Sequence, residues 1–248
     1  MKASAEIRAE PNGSGGVRLP VLRSEPPLLL RRTPDAVHLV GGAAGPLGGD
    51  DLHLLIRVCS GAHLRFRSVA ASLAQPDAAG RPSDLTVVVH VEAGASLDWA
   101  PEPLVSTIGS HHRVHTAIHL ERDASLRWRD ITVLGRHDEP SGLIEQDLTV
   151  TQDGADTLCQ EHAWGPGAAG GWSGPAVLAG ARVVATELTV RRGRARSGAA
   201  AHGATCVLRF DRDAELATSL GADVPGVITA LELASEWPAA VDVIAYAV

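Results

Sequence analysis

Four segments of the chain share one pattern of apolar and polar residues. Each reads apolar-x-apolar-x-x-(Gly/Asp)-Ala-x-Leu-x, and they are "IRVCSGAHLRF" (56–66), "VHVEAGASLDW" (89–99), "IHLERDASLRW" (118–128) and "LRFDRDAELAT" (208–218). A looser fifth copy, at 148–158, has one additional residue before its Gly-Ala. The period-two alternation, broken at Gly or Asp, predicts a half-buried strand, a tight turn and a second strand in each copy.

The residues at the break, and the spacing of the copies, predict how these strands are arranged. Gly or Asp tolerates the left-handed backbone angles that a tight turn needs, and the Ala after it indicates close stacking of neighbouring strands. These positions are Gly61, Gly94, Asp123 and Asp213, followed by Ala62, Ala95, Ala124 and Ala214. The first three copies start 33 and 29 residues apart, which favours stacked layers. We therefore expect an all-β fold of stacked sheets, a β-helix-like or solenoid-like sandwich with one or two short helices.

Two further segments complete this prediction. Residues 223–237 are the best helix candidate, because Leu and Ile recur there at roughly helical spacing. The Gly-, Ala- and Pro-rich stretch 164–175 is expected to be a flexible loop. We expect a single domain over 1–248, since a chain of this length can bury a full-sized core.

The charge and the cysteines argue against several classes of protein. A formal net charge of -7 argues against a general nucleic-acid binder, which needs a basic face. No segment reaches the roughly 20 apolar residues of a membrane span, and the N-terminus lacks the apolar region of a secretory signal. The 3 cysteines are widely spaced and form no CxxC pair, which is typical of reduced thiols. We expect a cytoplasmic protein.

Four histidines lie close together in the sequence, at His111, His112, His115 and His119. If the segment is a strand, His115 and His119 face away from the apolar residues, and positions four apart are separated by about 13 Å. Ligands of one metal ion lie about 2 Å from it, so histidines spaced along a strand cannot share an ion. His111 and His112, expected at a turn, remain metal candidates, with His115 as a third ligand if the turn folds back. Solvated or partly packed histidines are the favoured interpretation.

No sequence motif indicates catalysis. The chain has no GxSxG elbow, no HExxH, no GxxxxGK[ST] phosphate loop, and no Cys with an evident base. The segment "RRGRAR" (191–196) is interpreted first as a solvated basic loop and second as a site for a phosphate or an acidic partner. Trp99 and Trp128 occupy equivalent repeat positions, which favours a place in the core over one in a ligand site. The sequence predicts a protein that is not an enzyme.

Three ordered motifs stand out in the sequence, "GPLGGDDLHLLIRVCSGAHLRF" (45–66), "VHVEAGASLDWAPEPLV" (89–105) and "DASLRWRDITVLGRHDEPSG" (123–142). Together they resemble the urease accessory protein family UreD, also called UreH, over roughly residues 40 to 165. The matching positions are Gly48, Gly49, Asp50, Trp99, Pro101, Gly135, Arg136 and Gly142. The chain departs from the family pattern at "RFRSVAAS" (65–72) and at Leu143, so it resembles a divergent member.

The resemblance implies a β-rich scaffold without catalysis of its own. Such a scaffold joins the accessory proteins UreF and UreG, the latter a GTPase, and docks onto apo-urease so that nickel reaches the urease active site. It implies no tightly bound cofactor, only transient Ni²⁺ on a route lined by polar and acidic groups. Scattered carboxylates would suit such a route because a carrier must release the ion. The candidates are Asp50, Glu102, Asp130 and Glu145.

Two other functions stay open. A metal-dependent β-solenoid or cupin-like enzyme acting on a carbohydrate or a small acid would need at least three converging His or carboxylate ligands. An interaction module would use the faces of the repeat as a binding surface and need no metal.

Overall fold

The computed structural model describes residues 1–193, 198–210 and 213–237, and the chain there forms two stacked β-sheets and one helix. The first sheet has the strand order β14 (Ala155–Trp164), β13 (Leu143–Gln152), β11 (His111–Leu120), β8 (Ser83–Val91), β5 (Asp51–Val58), β1 (Lys2–Pro11) and β2 (Val17–Ser24). The second has the order β16 (Gly198–His202), β17 (Thr205–Arg209), β18 (Ala214–Gly221), β15 (Val183–Val190), β12 (Ser125–Leu134), β9 (Ser96–Trp99), β6 (His63–Ser68), β4 (Val37–Gly41) and β3 (Leu28–Arg32). The short strands β7 (Ser72–Ala74) and β10 (Leu104–Ser106) extend the second sheet beside β12. The predicted all-β, solenoid-like fold is confirmed.

The first three copies of the repeat stack in the register that their sequence alignment predicts. Ile56 and Ile118 both lie opposite Val89 in the first sheet, where the strands are parallel. Phe66 and Trp128 both lie opposite Trp99 in the second sheet, also in parallel strands. Each copy therefore crosses from one sheet to the other at its turn and places equivalent residues directly above one another.

The turns have the predicted backbone conformation. Gly61, Gly94 and Asp123 have φ of 71°, 66° and 59°, the left-handed region that Gly and Asp tolerate best. The alanines that follow them are buried, and the backbone N–H of Ser96 donates to Ala62 O at 2.9 Å, which continues the ladder through the turn. A larger residue than Ala would separate the layers.

The fourth and fifth copies differ in one respect. In both, the second strand folds back on the first within one sheet, as the antiparallel hairpins β17–β18 and β13–β14. Leu208 lies opposite Leu216, and Val150 opposite Leu158. The same alternation of apolar and polar residues therefore serves both a crossing between sheets and a hairpin.

The predicted helix is confirmed as α1 (Val224–Ala234), which covers part of the outer face of the second sheet. Asp223 caps its N-terminus, because its carboxylate accepts a hydrogen bond from Gly226 N at 2.8 Å. The buried Val227 and Leu231 pack against Ile131 and neighbouring residues of the sheet. In the described residues, no helix is both long and apolar enough to cross a membrane.

Residues 165–182 form a series of turns rather than strands. Leu178 is buried and Trp172 half-buried, and both pack with Trp164 and Ile144 at one edge of the sandwich. The flexibility of 164–175 and the single-domain organisation stay predictions.

Candidate functional site

A cavity of about 420 Å³ opens between the two sheets. We call it the interior cavity. Its wall is largely apolar, and one part of the wall, which we call its polar end, includes Asp130, His112, Thr116 and Gln146. Glu102 lies at the cavity on an exposed part of the chain. The site therefore combines an apolar wall with a small number of buried polar groups, as ligand sites commonly do.

Three stacked aromatic rings form one side of the cavity. Phe66 and Trp99 stack with ring centroids 4.2 Å apart, and Trp99 and Trp128 with centroids 4.3 Å apart. The stack follows from the repeat, because the three residues occupy one repeat position in successive layers. Trp99 and Trp128 are buried, as predicted from that position.

Both indoles are oriented by one carboxylate. Trp99 Nε1 donates to Asp130 Oδ1 at 3.1 Å, and Trp128 Nε1 donates to Asp130 Oδ2. Burial raises the pKa of the Asp130 carboxyl above its usual value, and the two N–H donors only partly oppose this effect. Asp130 is thus a desolvated carboxyl group at the cavity, with no cationic partner among the described residues.

His112 is a fully buried imidazole that also lines the cavity. Its Nδ1 lies 2.8 Å from Ser83 Oγ, whereas its Nε2 has no hydrogen-bond partner among the described residues. Burial lowers its pKa from 6.5 to about 4, so the ring is neutral at neutral pH. When Nδ1 carries the proton, it donates a hydrogen bond to Ser83 Oγ, and Nε2 presents a lone pair.

A smaller cavity of about 40 Å³ adjoins the first and shares Asp130, Thr116 and Gln146 with it. We call it the polar chamber; its further lining includes His162, whose Nε2 is buried without a partner in the described part of the chain. Thr132 Oγ1 donates to Gln146 Oε1 at 3.1 Å, which orients the amide. Asp130 and Gln146 therefore stand between the two spaces.

The predicted placement of His111 and His112 at a turn is wrong, and the structure does not bring the two side chains together; their binding of a metal stays a prediction. The two residues are not at a turn but are the first residues of β11, where successive side chains point to opposite faces of the sheet. His111 Nε2 lies outside, 2.6 Å from Glu145 Oε2. His115, also outside, contacts Asp147 and lies 3.8 Å from Asp84 Oδ1.

The fourth histidine follows the same outer face. His119 Nδ1 lies 3.0 Å from Thr151 Oγ1, and its ring stacks on His90 with centroids 4.9 Å apart. Over the described ranges, no three His, Cys, Asp or Glu side chains are placed to hold one metal ion. The histidines of β11 are therefore spread along two faces, as the strand geometry predicts for His115 and His119.

The four carboxylates predicted to line a nickel route are placed differently. Asp130 and Glu102 share the interior cavity. Asp50 is buried at 2 % exposure, where it accepts from Leu47 N at 2.9 Å and pairs with the N-terminal amine. Glu145 lies on the outer face of the first sheet, beside His111. The structure brings two of the four together.

The remaining family-motif residues shape loops at the end of the sandwich opposite the Gly-Ala turns. A Cβ on Gly142 would lie 2.4 Å from Thr107 O, and one on Gly135 would lie 2.1 Å from Glu139 O, so no larger residue fits. Arg136 holds Glu139 by two hydrogen bonds of 2.7 and 2.8 Å, which keeps the pKa of that carboxyl at about 2.

Two other motif loops are equally close-packed. Gly48 and Gly49 lie against Asp77 and Arg81, and Pro101 lines the interior cavity beside Glu102. A Cβ on Gly48 would lie 2.6 Å from Arg81 O. Most of the motif therefore maintains the loops around the site rather than supplying its polar groups.

Comparison with known proteins identifies the family. A family model described as UreD urease accessory protein matches residues 1–240. The chain belongs to the UreD family. It is 46 % identical over 194 residues to urease accessory protein UreD 3 of Streptomyces griseus, covering 74 % of this chain and 75 % of that protein. It is 44 % identical to urease accessory protein UreD of Streptomyces avermitilis, with 77 % and 78 % covered, and 44 % identical to that of Streptomyces coelicolor, with 81 % of each covered.

Sequence reasoning missed several polar residues of the cavities in this UreD-family chain. Thr116, Gln146 and His162 point inward from strands whose other inward residues are mostly apolar. A polar residue at an inward position of an alternating strand is the signal that could have identified them. The quoted UreD motifs lie in other segments and do not include them.

Proposed function

We propose that this protein is a urease maturation scaffold that assembles with UreF and UreG on apo-urease and helps to deliver nickel, without catalysing a reaction itself. The observation that carries this proposal is the UreD family match over residues 1–240, together with relatives named urease accessory proteins. The partners UreF, UreG and apo-urease come from the family resemblance of the three sequence motifs.

We further propose that nickel crosses the sandwich through the interior cavity. Ni²⁺ accepts carboxylate, imidazole and water as ligands. Glu102 stands at the cavity's exposed part, Asp130 and His112 stand at its polar end, and His162 lies in the polar chamber beyond. No three of these groups converge on one point in the described part of the chain, so the ion would be held weakly enough for release.

Two of the predicted route residues are left out of this path. Glu145 lies on the outer face of the first sheet, and its carboxylate is engaged by His111. Asp50 is already engaged by the N-terminal amine and by Leu47 N. Nickel in this proposal is cargo, and we propose no resident cofactor.

We place this step in the cytoplasm, where thiols stay reduced. Cys59, Cys159 and Cys206 are free thiols in the structure, and Cys159 and Cys206 are exposed. Free exposed thiols fit a reducing compartment.

Co-expression with UreF and UreG tests the assembly. We expect the three proteins to co-purify as one complex in size-exclusion chromatography, and urease activation to be lost when the gene is deleted and restored by the wild-type chain. An Arg57→Gln variant, altered on the exposed outer face of the first sheet, serves as the control that should restore activation fully. A chain that stays alone in the column, and whose deletion leaves urease activation unchanged, would contradict the proposal.

The alternative of a metal-dependent enzyme acting on a carbohydrate or small acid lacks its required observation. It calls for three converging ligands, and the described ranges contain no such group. A stoichiometric metal ion in the purified protein would favour it over the scaffold.

A further inference from the structure

A second cleft, of about 700 Å³, lies at the end of the sandwich that carries the Gly-Ala turns. The β1–β2 hairpin forms one side of it and the β3–β4 hairpin another, and the first residues of β6, β9 and β12 form its floor. Four arginines line it, namely Arg32, Arg65, Arg127 and Arg191, against two carboxylates, Asp35 and Asp98. We call it the arginine cleft.

The positive charge follows from the repeat register. Arg65 and Arg127 lie on strands on either side of β9, each opposite Asp98. Asp98 therefore lies close to three arginines. Arg127 donates a hydrogen bond to its carboxylate at 3.2 Å and Arg67 donates one at 2.6 Å, while Arg65 comes no closer than 4.0 Å. Arg127 also pairs with Glu187 Oε2 at 3.0 Å, so Arg65 is the least neutralised of the three arginines.

Two of the cleft's arginines keep their charge available. The Arg65 side chain is 65 % exposed. Arg191 is exposed, and its side chain forms no ion pair with the residues that the structure describes. The local excess of positive charge opposes the chain's formal net charge of -7.

Arg191 also begins the basic segment predicted from the sequence at 191–196. Its neighbour Arg192 pairs with Asp123 at 2.6 Å, while Arg194 and Arg196 lie outside the described residues. The structure thus adds the first arginine of that segment to a cleft that already contains three others.

We propose that the arginine cleft binds an extended acidic segment of a partner protein. Arg65 lies on β6 and Arg191 directly follows β15, three strand positions away, which corresponds to about 15 Å. An extended segment of about five residues spans that distance and presents alternate side chains to the same face. Its carboxylates would meet the guanidinium groups, and its apolar residues would lie against Val17 and Leu19 of the β1–β2 hairpin.

The physical basis is charge complementarity, which fixes orientation and accelerates association more than it adds affinity. Arginine suits this role because its planar guanidinium binds a carboxylate through two parallel hydrogen bonds. This surface lies at the other end of the sandwich from the loops that the family motif residues maintain, and its use does not depend on the nickel route.

Fluorescence anisotropy of the full chain with a labelled peptide tests the proposal. The probe is fluorescein-Glu-Leu-Glu-Leu-Glu-Leu-Glu, and the matched control peptide has Gln in place of each Glu. We expect saturable binding of the acidic peptide only. The double variant Arg65→Gln/Arg191→Gln should bind about tenfold more weakly, because each exposed ion pair contributes modestly. The variant Arg23→Gln/Arg57→Gln, which removes two arginine charges from the first sheet, should bind like the wild type.

Several outcomes would overturn the proposal. They are the absence of saturable binding, equal weakening by both double variants, or wild-type binding that is unchanged when NaCl rises from low to high concentration, since exposed charge pairs are screened by salt. Displacement of the peptide by inorganic phosphate, but not by chloride of equal ionic strength, would identify a small-anion site instead. Because the salt series uses the wild-type chain, the test stands even if a variant fails to fold. All of these readouts are independent of urease activation.

Discussion

The two faces of strand β11 present histidines to opposite environments. On the inner face, His112 is fully buried at the interior cavity, with one ring nitrogen unpartnered among the described residues. On the outer face, His111 and His115 contact carboxylates of the neighbouring strand β13. Neighbouring residues of one strand thus differ in burial and in hydrogen-bond partners, and the difference is set by the alternation of the strand rather than by residue type.

The two faces also differ in how much their side chains contribute to the free energy of unfolding. Inner-face groups are desolvated, so a substitution or a change of charge there alters the free energy of unfolding strongly. Outer-face pairs are partly exposed and screened by solvent, so each contributes little. The predictions below test that contrast in order of expected effect.

The largest effect is expected from Trp128→Ala. Trp128 is 2 % exposed, stacks on Trp99 and donates to Asp130, so its removal leaves a cavity and an incompletely hydrogen-bonded carboxyl. We expect the free energy of unfolding to fall by about 3–5 kcal/mol in urea denaturation. The matched control is Trp172→Ala, at a half-buried position, which should cost clearly less; equal losses would contradict the assigned role of the stack.

The next effect is a pH dependence that belongs to His112. The pKa of His112 is about 4 in the folded chain, whereas it is 6.5 in the unfolded chain. Between these pH values the unfolded chain therefore binds a proton that the folded chain does not. The free energy of unfolding should therefore fall as pH drops from 6.5 to 4, by about 3 kcal/mol for this group.

The measurement compares urea unfolding of the wild type and His112→Asn across that pH range. Because other titrating groups are common to both chains, the difference isolates His112. Parallel pH profiles would show that His112 is not desolvated in the fold.

The smallest effect is expected on the outer face. His115→Ala removes contacts with Asp147 and Asp84, both of which are partly exposed. We expect a change of less than about 1 kcal/mol in the free energy of unfolding, because exposed ion pairs contribute little. Thermal unfolding at low and high salt measures it, and a loss comparable to that of Trp128→Ala would contradict the contrast between the two faces.

The sequence predicted the repeat and its turns because these depend on local alternation and on Gly, Asp and Ala at fixed positions. It also predicted that Trp99 and Trp128 belong to the core. It did not distinguish a crossing from a hairpin, since Leu208 and Ile56 start identical patterns. That choice depends on which neighbouring strands are available to pair.

The site was predicted less completely. The sequence predicted Asp130 and Glu102 as route residues, and both line the interior cavity. It did not predict Gln146 and His162, which also line the cavities. Their proximity to Asp130 results from the stacking of two sheets, which brings together residues from β12, β13 and β14. His111 and His112 were placed at a turn, whereas they begin a strand, and the alternation of that strand points their side chains to opposite faces.

The role of Asp130 in nickel transfer is the central claim, and one measurement tests it most directly. Asp130→Asn keeps an acceptor oxygen for one of the two indole N–H groups and relieves a desolvated carboxyl, so we expect a loss of stability that leaves the fold in place; Glu145→Gln makes the same change on the outer face. Each variant is co-expressed with urease, UreF and UreG at limiting nickel, and the nickel bound per urease active site is measured. We predict that Asp130→Asn loses most of the urease-bound nickel while Glu145→Gln retains it. Full loading by Asp130→Asn, or loss by Glu145→Gln alone, would contradict the interior route.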